Sequence, residues 1–145
     1  MIHYFSEDIT FHLSKSEEVR VWVDQAIKKE HHTMGDINYI FTSDEYLRKV
    51  NVKYLNHNYL TDVITFDYTE KDKVSGDIFI SIDRIEDNAS ELNTDLTNEL
   101  HRVMIHGVLH LLGYRDKTTE EQQVMRQKED YYLSLRPENL THCST

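Results

Sequence analysis

His106-Gly107-Val108-Leu109-His110-Leu111-Leu112-Gly113-Tyr114-Arg115-Asp116 is the part of the chain from which the remainder can be placed. Between Val103 and Leu112 only His106 and His110 carry side chains that bind a proton or a metal strongly. A helix that is apolar all round belongs in a core. Two imidazoles four residues apart lie on one helical face, about 40° apart around the axis. Buried polar groups need partners, and one divalent metal would satisfy both rings. Gly113 offers a stop for the helix. Asp116 follows the turn, where the chain can fold back and present a third ligand. A lone histidine in an apolar helix is usually a satisfied core residue. A pair at this spacing, with Gly three residues after the second and a carboxylate three further on, points to metal. Two imidazoles and a carboxylate suit zinc, and three protein ligands leave a position open for water, as in a hydrolytic centre.

Working outward, apolar alternation marks a strand within 2–13, including Ile9-Thr10-Phe11-His12-Leu13. Ser14 with Glu17 reads as a capping box for a helix to about His31, with Val19, Trp22, Val23, Ala26 and Ile27 on one face. A strand follows over 36–42. Thr42 with Glu45 caps a helix over 44–55, with Leu47, Val50 and Tyr54 inward. Residues 56–60 form a loop. Residues 61–68 and 76–82 are β-branched and aromatic strands expected to pair as a hairpin. Asp83 with Glu86 caps a helix to about Leu92, and the histidine helix starts at Asn93 or Thr94. Thr118 with Glu121 caps a last helix to about Leu135, whose stripe is Val124, Met125, Lys128, Tyr131 and Tyr132. Pro137 ends it, and a frayed tail is expected from Glu138. This order predicts an α+β fold: a small mixed sheet of about four strands packed with about five helices, with a zincin-like metal site on a central buried helix.

The length of 145 residues fits a single domain. One Pro and four Gly leave no flexible linker. The one cysteine, Cys143, cannot form an internal disulfide, which favours a reducing compartment. No signal peptide or membrane span is visible, so the expected location is the cytoplasm. Sixteen Lys and Arg against 26 Asp and Glu give a net charge of −10. That balance repels nucleic acid at long range and argues against a general nucleic-acid-binding protein, though not against an enzyme with a local cleft.

The spacing H-x3-H-x2-G-x2-D matches the extended zinc-protease motif, but Gly107 stands where a protease has its general-base Glu. A metallopeptidase therefore ranks low. The same residues resemble the signature of the YbeY family of bacterial endoribonucleases and rRNA maturation factors, H-G-x-L-H-L-x-G-Y-D-H. Asn51-Val52-Lys53-Tyr54 through Thr61-Asp62-Val63-Ile64-Thr65-Phe66 resembles that family's Asn-x-x-Tyr-Arg…Pro-Thr-(Asp/Asn)-Val-Leu-Ser-Phe block, and Gly76-Asp77-Ile78 its Gly-Asp-(Ile/Leu) strand start. The resemblance spans roughly residues 45 to 116. It implies a zinc-dependent, single-strand-directed endoribonuclease acting on the 16S rRNA 3′ end and in ribosome quality control, with the small ribosomal subunit as partner, no membrane association, and a monomer assumed. The ligands it implies are His106, His110 and Asp116. Four positions depart from the pattern: Asp116 for His, Arg115 for Asp, Leu55 for an Arg linked to RNA, and Leu60 for Pro. The loss of the Arg at 55 leaves Lys53, Arg102 or Arg115 to contact phosphate. It also keeps open an assembly factor in which the metal is structural.

Other residues carry two readings each. Asp62 is either a cleft residue beside the metal or a strand cap. Arg102, one turn before His106, either borders the cleft or pairs with Glu99 or Asp95 on the surface. Asp77 is expected to be structural and Tyr114 to be a packing aromatic. His101, five residues before His106, is expected on a solvated side, and His31, His32 and His57 on the surface.

Overall fold

A computed structural model describes residues 1–141; Cys143 lies outside the described residues. The elements are β1 (Ile2–Ser6), α1 (Ser16–Lys29), β2 (Thr33–Thr42), α2 (Asp44–Leu55), β3 (Val63–Asp67), β4 (Lys73–Ser81), α3 (Ile82–Glu91), α4 (Leu96–Leu111), α5 (Thr119–Ser134) and α6 (Glu138–Thr141). The sheet order is β1-β2-β4-β3. β1 and β4 each run parallel to β2, whereas β3 runs antiparallel to β4 as the expected hairpin. This is the mixed four-stranded α+β architecture anticipated from the element order. The helix count rises to six among the described residues because of the short α6.

Strand alternation divides the core between the two faces of the sheet. Ile37, Tyr39 and Phe41 of β2 and Ile78 and Ile80 of β4 join Trp22, Val23 and Ile27 of α1 and Met104, Ile105 and Val108 of α4 in one buried cluster. A smaller cluster has Leu47 and Val50 of α2 over Ile64, with Phe66 and Phe79 packed against it. α4 is thus enclosed by the sheet, α1, α3 and α5. Gly107 lets it sit close to β4: a Cβ there would stand 2.8 Å from Ile78 Cγ2. The glycine that replaces the protease base therefore faces the sheet.

Several local expectations are corrected. Residues 9–13 form no strand. The β1–β2 ladder stops at Ser6 opposite Phe41, and Phe11 packs its ring on Phe41 at 4.9 Å instead. Three caps are shifted by one or two residues. Lys15, in the left-handed region and without a side-chain cap bond, precedes α1 in place of Ser14. Ser43 rather than Thr42 accepts from Tyr46 N–H, because the Thr42 hydroxyl donates to the Ser43 and Ile80 carbonyls. Ser81 rather than Asp83 accepts from Arg84 N–H. Asp95 caps α4, one or two residues after the expected start. The Thr118–Glu121 capping box is present. Asn51, not Tyr54, completes the inner face of α2; Tyr54 is exposed and edge-packed on Phe66. The buried stripe of α5 is Met125, Glu129, Tyr132 and Leu133, which leaves Val124 and Tyr131 outside. Leu140 is buried, so the segment after Pro137 docks on the core through α6.

Candidate metal centre

α4 carries His106 and His110 on a side that opens on a cavity edged by Val63, Ile64 and Thr65 of β3. At its end Leu112 is the C-cap and Gly113, at φ +103°, takes the left-handed position. Gly113 N–H donates to the His110 carbonyl at 3.0 Å and Tyr114 N–H to the Leu109 carbonyl at 3.0 Å. This Schellman pair reverses the chain. Asp116 is thereby returned to the histidines: its Oδ2 stands 3.4 Å from His106 Nε2 and 3.3 Å from His110 Nε2, and the two Nε2 atoms are 3.0 Å apart.

The partners of the other ring nitrogens explain what this triangle can hold. His106 Nδ1 donates to Glu129 Oε2 at 2.6 Å, and His110 Nδ1 donates to the Tyr114 carbonyl at 3.0 Å. With both Nδ1 protons engaged, two Nε2 lone pairs and a carboxylate oxygen face one another across about 3 Å, an arrangement relieved by a bound cation or by a proton on one ring. Donors on a tetrahedral ion at the zinc–nitrogen distance of about 2.0–2.1 Å stand roughly 3.3 Å apart. The observed separations of 3.0, 3.3 and 3.4 Å fit. His106, His110 and Asp116 form a group able to hold a metal ion. A carboxylate and a backbone carbonyl behind the two rings are the usual means of fixing the ligand tautomer.

Charge flows through the same contacts. Burial works against charging His106, but bonded Glu129, with Asp116 and Asp62 nearby, raises its pKa above the ordinary histidine value. Burial and the neighbouring His106 charge lower that of His110, against the pull of Asp116. Burial alone would raise the Glu129 carboxyl; its bonds from His106 and Arg102 hold it below the usual carboxylate range. Glu129 is 6% exposed, and nothing in its local sequence singles it out beyond an acid standing on the apolar stripe of α5. A second buffered knot fixes the turn. Tyr114 donates its hydroxyl to Glu30 Oε1 at 2.6 Å, Glu30 also accepts from Tyr132 Oη and Lys128 Nζ, and Lys128 Nζ lies 5.6 Å over the Tyr114 ring. Tyr114 is therefore more than a packing aromatic.

A cavity of about 390 Å³ meets the three donors and is walled by Leu55, His57, Tyr59, Asp62 and Lys117 among others. Asp62 belongs to the cleft, where burial raises its carboxyl pKa despite nearby His106 and two backbone donors. It also accepts from Asn88 Nδ2 at 3.3 Å, and its carbonyl accepts from Ser81 N–H. Arg102 borders an adjoining cavity with His106 and Asp116, but both arms are committed, to Glu129 at 2.8 Å and Asp130 at 2.7 Å rather than to Glu99 or Asp95. Arg126 and Lys117 are the cations on these walls that sequence reasoning missed. Lys53 lies over Tyr54, and Arg115 is exposed. His31 and His57 are exposed, and His32 is half-buried. Asp77 is structural, accepting from Asn38 Nδ2 and Tyr68 Oη. His101 is not solvated. It is 1% exposed, packed on Trp22, and accepts from Arg136 at 2.9 Å.

Residues 2–135 match the family model described as Endoribonuclease YbeY. The chain belongs to the YbeY family. Its similarity to the Endoribonuclease YbeY of Cytophaga hutchinsonii is 52% identity over 93% of this chain and 95% of the relative. The namesake protein of Flavobacterium johnsoniae is 46% identical over 90% of this chain and 94% of its own. A Thermotoga maritima protein solved in solution superposes with a TM-score of 0.67 at 29% identity, covering 92% of this chain and 87% of that one. Among the described residues no helix is long and apolar enough to cross a membrane.

Proposed function

We propose that the chain is a zinc-dependent endoribonuclease that cuts single-stranded RNA, acts in maturation of the 16S rRNA 3′ end and in ribosome quality control, and works as a cytoplasmic monomer on the small subunit. The observation that carries this reading is the convergence of His106 Nε2, His110 Nε2 and Asp116 Oδ2 on one cavity, in a chain whose relatives are named endoribonucleases. His106, His110 and Asp116 would hold the ion. When bound, a divalent ion there supplies Lewis acidity to water and to a phosphodiester oxygen. The chain's own residues do the remaining work. Glu129 and the Tyr114 carbonyl keep both imidazoles presenting Nε2. Asp62 is the cleft carboxyl for proton handling, and Lys117 and Arg126 place positive charge where phosphate charge develops.

The test is cleavage of single-stranded RNA by purified protein, with and without chelator, alongside His110→Ala. Cleavage lost in both arms is expected, with zinc measured in the untreated protein. Unchanged cleavage in both arms would overturn the metal mechanism. A second reading, a non-catalytic assembly factor with a structural metal, draws support from Leu55 and from the locked arms of Arg102. It predicts that removing metal lowers the melting temperature while RNA stays intact at any protein concentration.

A further inference from the structure

The loop between α2 and β3 is built with more care than a connector needs. Asn51, 1% exposed, gives its side-chain amide to the Tyr59 carbonyl at 3.1 Å, while its own carbonyl accepts from His57 N–H at 3.2 Å. Arg48 holds Asn58 Oδ1 at 2.9 Å. The loop so pinned displays two rings. Tyr59 lies stacked on His57 with centroids 5.3 Å apart and planes 23° apart, and its hydroxyl meets His57 Nδ1 at 3.2 Å. Tyr59 is 55% exposed, yet both rings line the cavity that contains the metal-ligand triangle.

We infer that Tyr59, backed by His57, is a stacking shelf for an unpaired nucleobase beside the scissile phosphate. The inference rests on the reading of the chain as a ribonuclease and deepens it. Charge argues for a base rather than the phosphate chain as the main handle. The chain carries a net charge of −10, Leu55 supplies no cation, and Lys117 is the one Lys or Arg among the described residues lining this cavity. Arg126 adds one more from the neighbouring cavity. An aromatic face accepts any base, and only an unpaired, splayed base can offer its own face to it. Binding held by the shelf then depends weakly on salt: two phosphate contacts on a single strand give a log–log slope of about −1.4 at most.

The experiment uses full-length protein in chelator, so that nothing is cut, and a single-stranded hexaribonucleotide with 2-aminopurine at each position in turn. Quenching at one position is expected for the wild type. Tyr59→Ala should weaken binding about tenfold or more while Tyr59→Phe stays close to wild type, as stacking on one ring implies. An oligonucleotide abasic at the quenched position should bind wild type as weakly as the intact one binds Tyr59→Ala. Equal affinities for wild type and Tyr59→Ala, or no position sensitive to base removal, would overturn the shelf. Melting curves separate loss of the ring from misfolding. If metal-loaded wild type cuts single-stranded RNA and Tyr59→Ala cuts it with the same KM, the shelf falls alone. If wild type neither binds nor cuts it, the ribonuclease reading falls and takes the shelf with it.

Discussion

His101 and His106 stand five residues apart on α4, both largely enclosed by protein, and the fold drives them in opposite directions. His101 sits between the Trp22 ring and Arg136, whose guanidinium donates to its Nδ1. Burial and that positive charge push its pKa down to about 4, only partly opposed by Asp95. His106 is buried too, but its Nδ1 is bonded to Glu129 and its other nitrogen looks at Asp116, and its pKa rises. One ring is kept neutral as a packing acceptor, and the other is made electron-rich and joins His110 and Asp116 in a group that could hold a metal ion. Residue type and helix position do not decide between these roles. The charges of Glu129, Asp116 and Arg136, brought in from outside α4, do.

The sharpest way to break the comparison is to remove each ring in turn. His106→Ala should abolish bound metal and lower RNA cleavage on the order of a thousandfold, since a resident ion contributes several kcal/mol to stabilising transition-state charge. His101→Phe should leave metal stoichiometry unchanged by elemental assay. A metal-free His101→Phe protein beside a metal-replete His106→Ala protein would reverse the assignment.

Acid tests the same contrast. An unfolded histidine titrates near 6.5, so His101, depressed when folded to about 4, contributes stability that is fully present above 6.5 and is lost as pH falls toward 4. The loss amounts to about 3 kcal/mol by the bottom of that window. His106 in metal-free protein works the other way. Its stabilisation is fully present below 6.5 and fades as pH rises through its elevated value. Urea midpoints of chelated wild type and His101→Phe between pH 4 and 7 check this. The variant should lose markedly less stability on acidification, and parallel curves would show that His101 does not govern the acid limb.

The two histidines also mark how far the sequence could be read. The juxtaposition of His106, His110 and Asp116 was legible because all three, with Gly113, lie within one helix and its C-terminal turn, where spacing dictates geometry. The β3–β4 hairpin and the Thr118–Glu121 box were legible for the same local reason. The partners of the site were not. Glu129 is 23 residues from His106, Arg136 is 35 from His101, and Glu30 is 84 from Tyr114. Only the docking of α5 and α1 brings them in. Alternation over Ile9–Leu13 misled because a strand needs a neighbouring ladder, and β2 had none left to offer there.

Glu129→Gln sharpens the comparison next. The amide can still accept from His106 Nδ1 but withdraws the negative charge that makes this ring unlike His101. Outer carboxylates of this kind typically contribute 10–100-fold to metal affinity. A loss of about tenfold or more in zinc affinity is expected from competition with a chromophoric chelator, together with a lower melting temperature, because the amide oxygen cannot accept from both His106 and Arg102. Wild-type affinity would show that Glu129 only fills space.

The smallest effect comes from the side of α4 that meets neither histidine's partners. Gly107 lies against Ile78, and a methyl there would be 2.8 Å from Cγ2 and 3.1 Å from Cδ1 of that side chain. Ile78 is fully buried and cannot swing away into solvent. Gly107→Ala improves helix propensity by up to about 1 kcal/mol, but overpacking at a dry contact costs about 1–3 kcal/mol. A net loss of about 1 kcal/mol is therefore expected in denaturant unfolding. The direction of relief matters more than the size. If α4 yields by moving off β4, His106 and His110 move together toward α5 and the cavity, and zinc affinity falls along with stability. If Ile78 yields instead, stability falls alone. Combining Gly107→Ala with Ile78→Val, which removes Cδ1 but leaves Cγ2 at the closest point, should restore part of whichever property was lost. No recovery of either would mean that the close approach of α4 to the sheet is not what Gly107 provides.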